Sequence, residues 1–166
     1  MNFKMLTQEY LKSIIHYDPE TGLFSWLQST SFRIKIGDIA GSKTIHNYLV
    51  IRINGKIYYA HRLAFLYVTG EWPEKHVDHI DLNRTNNKWL NIRPSTVSEN
   101  HGNMNKHIDN TSGHKGVWFN KLRNTWNAQI MVKGKRYNLG VYENKEDAAK
   151  AYEEAAIKYF GEFSRV

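Results

Sequence analysis

The chain has 166 residues, 41% hydrophobic and 23% charged, with a formal charge of +7 and a pI near 9.5. That length suits one ordinary domain or two small ones, and the composition is that of a globular protein. The absence of cysteine excludes disulfides, thiolate zinc sites and cysteine nucleophiles. Charge interrupts the start before any apolar run forms, and no stretch approaches a membrane span, so a soluble, cytoplasmic protein with no membrane partner is expected. The basic balance favours a polyanionic partner.

The first expected element is a helix. Leu6, Tyr10, Leu11, Ile14 and Ile15 fall at helical spacing behind a capping Thr7, which predicts an amphipathic helix over residues 6–17, stopped by Pro19 and Gly22. Residues 23–27, 34–39, 48–53 and 56–60 read as short strands, the last two forming a hairpin across Asn54-Gly55. Arg33, Lys35, Lys43, Arg52 and Lys56 decorate this small β-rich frame, either as a solvated face or as contacts to a polyanion. A mostly apolar helix over 61–69, with Leu63, Ala64, Leu66, Tyr67 and Val68, ends at Gly70 and is expected to pack under the segment that follows. His61 opens it, with its ring toward either a site or the core.

Chemistry concentrates in residues 76–100. Residues 77–80 and 90–93 read as two strands around a polar loop in which Asn83, Asn86 and Asn87 read as turn formers. Thr96 with Glu99 three positions on forms a capping box, so a helix starts near Val97 and carries Asn100 around its first turn. Asp78 offers a carboxylate oxygen, Asn100 an amide oxygen, and His79 an imidazole mostly neutral near pH 7. Oxygen donors favour Mg²⁺ or Mn²⁺ over zinc. Neighbours on a regular strand point to opposite faces. Convergence of Asp78 and His79 on one ion and one water therefore predicts that the strand ends or kinks there.

The order Asp78-His79, then Asn91 twelve positions after the histidine, then Asn100 nine beyond that, resembles the HNH endonucleases, the ββα-metal or His-Me finger nucleases. The branch it resembles is that of phage and mobile-element homing endonucleases, in which asparagine replaces the last histidine. The runs L-T-Q-E-Y-L-K, Y-D-P-E-T-G-L-F-S-W, G-D-I-A-G and A-H-R-L-A-F-L-Y-V-T-G-E-W-P extend the likeness over residues 6–103. It implies that Asp78 and Asn100 bind the metal, that His79 is the general base and that Asn91 ties down the loop between the strands. Arg93, a planar cation just past Asn91, is a candidate grip on phosphate.

Residues 102–112 have little apolar content and many asparagines, which reads as a linker. His101, His107 and His114 lack ligand-like spacing and read as surface residues. No acid occurs from Asn110 through Tyr142, whereas Lys115, Lys121, Arg123, Lys133, Lys135 and Arg136 all do. Residues 113–142 alternate like a three-stranded antiparallel sheet, with Trp126, Ala128, Ile130 and Val132 on one face and Asn127, Gln129, Met131 and Lys133 on the other. Gly134 makes the next turn. Asn144 caps a helix whose stripe is Ala148, Tyr152, Ala155, Ala156 and Tyr159. The open basic face has the width of a β-ribbon that enters a DNA major groove.

The runs K-G-V-W, W-N-A-Q-I, Y-N-L-G-V-Y and E-D-A-A-K-A-Y-E-E-A-A resemble the DNA-binding domain of plant ethylene-response factors over residues 112–166. The resemblance places DNA-reading positions at Lys115, Gly116, Trp118, Asn120, Gln129, Met131, Arg136 and Asn138. Trp118, Asn120, Met131 and Asn138 depart from the arginine or tryptophan mostly found there, so the plant target sequence is not carried over.

The expected architecture is α+β. Residues 1–101 form a nuclease domain with a ββα-metal core at about 76–104 on a small β-rich frame. Residues 102–112 link it to a three-stranded antiparallel sheet packed on one helix over 113–166. The expected function is a Mg²⁺- or Mn²⁺-dependent endonuclease acting on double-stranded DNA in a prokaryotic or phage-infected cell; the resemblance implies 5′-phosphate and 3′-hydroxyl ends. One rival is a non-catalytic DNA-binding regulator, against which the intact triplet Asp78, His79 and Asn100 stands. Another is an RNA-binding protein, disfavoured because no platform of clustered surface aromatics stands out.

Overall fold

The computed structural model describes residues 6–29 and 31–165; residues 1–5, at the head of the expected nuclease domain, and residues 30 and 166 lie outside the described residues. The protein mixes α and β structure and divides into two compact units, Met1–Pro94 and Ser95–Val166. Among the described residues no helix is long and apolar enough to cross a membrane.

In the first unit the Thr7 hydroxyl accepts from the Tyr10 amide and starts α1, Gln8–Ile14. The helix expected over 6–17 stops there, because Ile15–Tyr17 forms strand β1, paired antiparallel with β2, Phe24–Trp26. Ile15 is β-branched and loses rotamer freedom in a helix. As a strand it buries Ile15 and Tyr17 beside Phe24 and Trp26. Residues 34–39 form turns and bridges rather than the expected strand: Asp38 accepts from the Lys35 amide, and Ser25–Ile39 and Ser31–Ile34 pair only as isolated bridges.

Strands β3 (Ser42–Lys43), β4 (Leu49–Ile53) and β5 (Lys56–Tyr59) form a three-stranded sheet in that order. The expected hairpin turn is present, with Asn54 and Gly55 at φ 49° and 79°. Helix α2, Ala60–Thr69, ends at a left-handed Gly70 and buries Ala60, Leu63, Ala64 and Leu66. Those residues share a core with Leu11, Ile14, Ile51 and Ile53. Strands β6, His76–His79, and β7, Ile92–Ser95, make a two-stranded sheet. The second starts later than expected because Trp89–Asn91 first takes a 3₁₀ turn.

In the second unit both halves of the capping box form. The Thr96 hydroxyl accepts from the Glu99 amide at 3.2 Å, the Glu99 carboxylate accepts from the Thr96 amide at 2.6 Å, and α3 runs Val97–Asn103. Strands β8 (Val117–Asn120), β9 (Thr125–Val132) and β10 (Lys135–Tyr142) form an antiparallel sheet with β9 central. Asn144 caps α4, Lys145–Phe160, accepting from the Asp147 amide at 2.9 Å. Val117, Ala128, Ile130 and Val132 pack there against Ala148, Tyr152, Ala155, Ala156 and Phe160. The boundary between the units falls ahead of residues 102–112, read above as the linker, because α3 packs on α4 and on the 3₁₀ turn Gly161–Phe163. A Cβ at Gly102 would lie 2.7 Å from the Phe160 ring, so only glycine permits that approach.

Candidate active site and nucleic-acid interface

Strand β6 ends at His79, and Ile80 then donates its amide to the Asn91 carbonyl at 2.8 Å. Val77 and His79 are buried, and the Asp78 side chain is nearly so. The strand thus ends at the motif, as expected.

His79 Nε2 lies 3.1 Å from Asn87 Oδ1. The Asn87 amide nitrogen donates to the Thr85 carbonyl at 3.2 Å, which orients the amide. Its oxygen must then accept from the imidazole, so Nε2 carries the proton and Nδ1 is the basic nitrogen. The ring is 4% exposed. Burial lowers its basicity, the Asn87 hydrogen bond and the charges of Asp81 and Asp78 oppose that, and Arg84 adds to it; the net shift is downward from 6.5. A neutral imidazole near pH 7 follows.

His61, left open by the sequence, faces this ring. The two imidazoles meet edge-on with centroids 5.0 Å apart, and His61 stacks on Tyr59 at 5.4 Å, with Tyr48 close to both histidines. It is 6% exposed, and its Nδ1 is buried without a hydrogen-bond partner among the described residues. Burial, with the charges of His79 and Arg62, pushes its pKa down to about 3.

The loop after β6 is a lattice of amides around Asp81. Asp81 Oδ1 accepts from the Asn83 amide at 2.8 Å and from Asn91 Nδ2 at 2.9 Å, and Oδ2 accepts from Asn86 Nδ2 at 2.7 Å. Asn91 closes the ring: its oxygen accepts from the Asp81 amide, and Nδ2 also donates to the Asn86 carbonyl at 2.8 Å. Burial raises the Asp81 pKa, but the hydrogen bonds from Asn86, Asn91 and Asn83 outweigh it and hold the carboxyl below its ordinary value.

The frame fixes this loop from outside. Tyr17 donates its hydroxyl to the Asn87 carbonyl at 2.7 Å, and Trp89 donates its amide to the Pro19 carbonyl at 2.9 Å. Gly22, at φ +74°, passes so close that a Cβ would lie 2.4 Å from the Lys88 nitrogen. The Y-D-P-E-T-G run therefore holds Asn87, and Asn87 holds His79.

Arg93 Nη2 stands 3.5 Å from Asp78 Oδ2, with both side chains about nine-tenths buried. A phosphate drawn to this guanidinium would meet the carboxylate beside it. Asp78 offers a carboxylate oxygen of the kind a hard divalent cation takes, shared here with Arg93, whereas Asp81 is engaged by amides; among the described residues no three His, Asp or Glu side chains gather as a metal-holding group. Asn100 belongs to the second unit. It lies in the first turn of α3, where its Oδ1 accepts from Ser95 Oγ at 2.7 Å.

On the sheet, Trp118 pairs with Asn127 and Asn120 with Thr125, while Arg136 pairs with Met131 and Asn138 with Gln129. Those pairs share the face opposite the Ala128–Ile130–Val132 packing, so Trp118, Asn120, Gln129, Met131, Arg136 and Asn138 stand together. Asn127 joins them, with a buried Nδ2 that has no partner among the described residues. Two expected positions serve elsewhere. At Gly116, φ +65°, a Cβ would lie 2.2 Å from the Gln129 carbonyl oxygen and 2.5 Å from the Tyr152 ring. Lys115 turns its ammonium to the carbonyls of Gly102 and Arg165 at 2.8 and 2.9 Å, and burial pushes its pKa down to about 8.

Sequence reasoning missed Asn87 and Asp81 as parts of the site and could not decide His61. The signal for Asn87 was its place at the loop's end beside a second asparagine, which also fits an ordinary turn.

Comparison with known proteins finds two families along the chain. Residues 58–102 match the HNH endonuclease family, and residues 112–162 match the AP2 domain. Protein 3.8 of Escherichia phage T7 is 33% identical over 90 residues, spanning 54% of this chain and 74% of the phage protein. A protein of Acanthamoeba polyphaga mimivirus named as an uncharacterized HNH endonuclease is 33% identical over 107 residues, covering 63% of this chain and 54% of its own length. An AP2-like ethylene-responsive transcription factor of Arabidopsis thaliana is 49% identical over 39 residues, 24% of this chain and 9% of the plant protein.

Proposed function

This chain belongs to the HNH endonucleases and carries an AP2 domain behind their motif, and from that premise we propose a divalent-metal-dependent DNA endonuclease of the phage and homing branch. In this reading β6, β7 and α3 make the ββα-metal motif, double-stranded DNA is the substrate, and the AP2 sheet selects or anchors it. Phage and viral relatives support action inside an infected cell.

The observation that carries the reading is the His79–Asn87 hydrogen bond, which makes Nδ1 of a buried, neutral imidazole the proton acceptor. His79 takes a proton from water as the water oxygen bonds to phosphorus. The bond to the 3′ oxygen breaks in line, and the departing oxygen is protonated from solvent, leaving 5′-phosphate and 3′-hydroxyl ends. Asp78 and Asn100 are the residues to hold Mg²⁺ or Mn²⁺. When bound, the ion supplies charge neutralisation at the scissile phosphate and the leaving oxygen. Arg93 adds a planar cation for the phosphate, and Asn91 keeps the loop, and with it Asn87, in place.

The test is supercoiled plasmid incubated with the protein and Mg²⁺ or Mn²⁺, with and without chelator. Open circles or linear molecules should form only with free metal. Plasmid left intact with either ion would sink the proposal.

A further inference from the structure

The second unit treats α3 as part of the DNA-binding module. The last carbonyls of a helix have no partner within it. Here the Gly102 carbonyl accepts from Lys115 Nζ at 2.8 Å and from the Arg165 amide at 3.2 Å. The same ammonium donates to the Arg165 carbonyl at 2.9 Å, so one cation ties the end of α3 to the residues after α4. Arg165 Nε reaches Asn103 Oδ1 at 3.5 Å, with Asn103 buried. Near the start of α3, Ser98 Oγ accepts from the Lys133 amide at 3.1 Å, in the turn between β9 and β10. Phe160 fills the space that Gly102 leaves open.

We infer that Lys115, at a position where the plant factors read DNA, is in this chain a positioning residue that docks the helix carrying Asn100 onto the sheet module. An ammonium holding two carbonyls cannot also reach a phosphate or a base edge without releasing them, and a half-buried carbonyl left unpaired is costly. Open-face Arg136 makes the contrast, being exposed on β10. For its effect on cleavage, though not for its geometry, the inference rests on the endonuclease reading.

The experiment uses the full chain and the variants Lys115→Met and Lys115→Arg. Amide exchange is followed across residues 97–103, DNA affinity across a salt series, and single-turnover cleavage at saturating DNA with Mg²⁺. In Lys115→Met, exchange over 97–103 should rise at least tenfold while β9 stays protected, which also reports that the module is folded. Affinity should stay within about twofold, with an unchanged salt slope, and cleavage should fall about tenfold. Lys115→Arg retains the donors and should restore most of the protection. The inference is overturned by unchanged exchange over 97–103, or by a tenfold loss of affinity with a salt slope smaller by about one, the mark of a phosphate contact. If the unaltered protein does not cut DNA, the nuclease reading falls, and the exchange comparison still decides the role of Lys115.

Discussion

His61 should make the first unit sensitive to acid, and His61→Asn is the perturbation that isolates the effect. In the folded chain its pKa is pushed down to about 3, against 6.5 for an unperturbed imidazole. A group depressed on folding contributes stability that is present above its unfolded value and is lost as pH falls toward the folded one, because the unfolded chain then binds the extra proton. At about pH 5 the unfolded imidazole is almost fully charged and the folded one still neutral, a difference worth about 2 kcal/mol. Between pH 8 and pH 5 the unaltered protein should therefore lose about 2 kcal/mol more than His61→Asn, which keeps a polar side chain of similar size but cannot titrate. Urea unfolding at the two pH values measures this, and with an m-value of about 2 kcal/mol/M the extra loss is a midpoint shift of about 1 M. Equal pH dependence in the two proteins would refute the claim that His61 is buried neutral against the proposed base.

Asn87→Leu removes the acceptor that fixes the His79 tautomer. Its single-turnover cleavage should fall about tenfold or more, the usual cost of losing an outer hydrogen bond to a functional histidine, with DNA affinity unchanged. An unaltered rate would show that Asn87 does not orient the base. The acid limb of the cleavage rate should lie below pH 6.5, because burial disfavours the charged imidazole and keeps His79 a competent base to lower pH. A single-turnover rate–pH profile with its half-maximum at or above 6.5 would contradict this.

What the sequence made legible was local. The Thr96–Glu99 box, the Asn54-Gly55 turn and the alternation along β9 depend on neighbours within a few positions, and each forms as read. Distant partners account for the rest. Ile15–Tyr17 leaves the helical pattern because Phe24–Trp26 offers a strand to pair with. Asn87 looked like one more turn asparagine, since its role depends on a loop folded back to His79 and clamped by Tyr17 and Gly22. The Lys115 side chain could be assigned only once the end of α3 and Arg165 were seen to converge on it.

The central claim is that His79 is the general base of a phosphodiester hydrolysis. His79→Ala compared with the unaltered protein, in single turnover at saturating DNA with Mg²⁺, tests it most directly. A loss of about 10²–10⁴ in rate with DNA affinity preserved is expected; cleavage by His79→Ala at the unaltered rate would contradict that role.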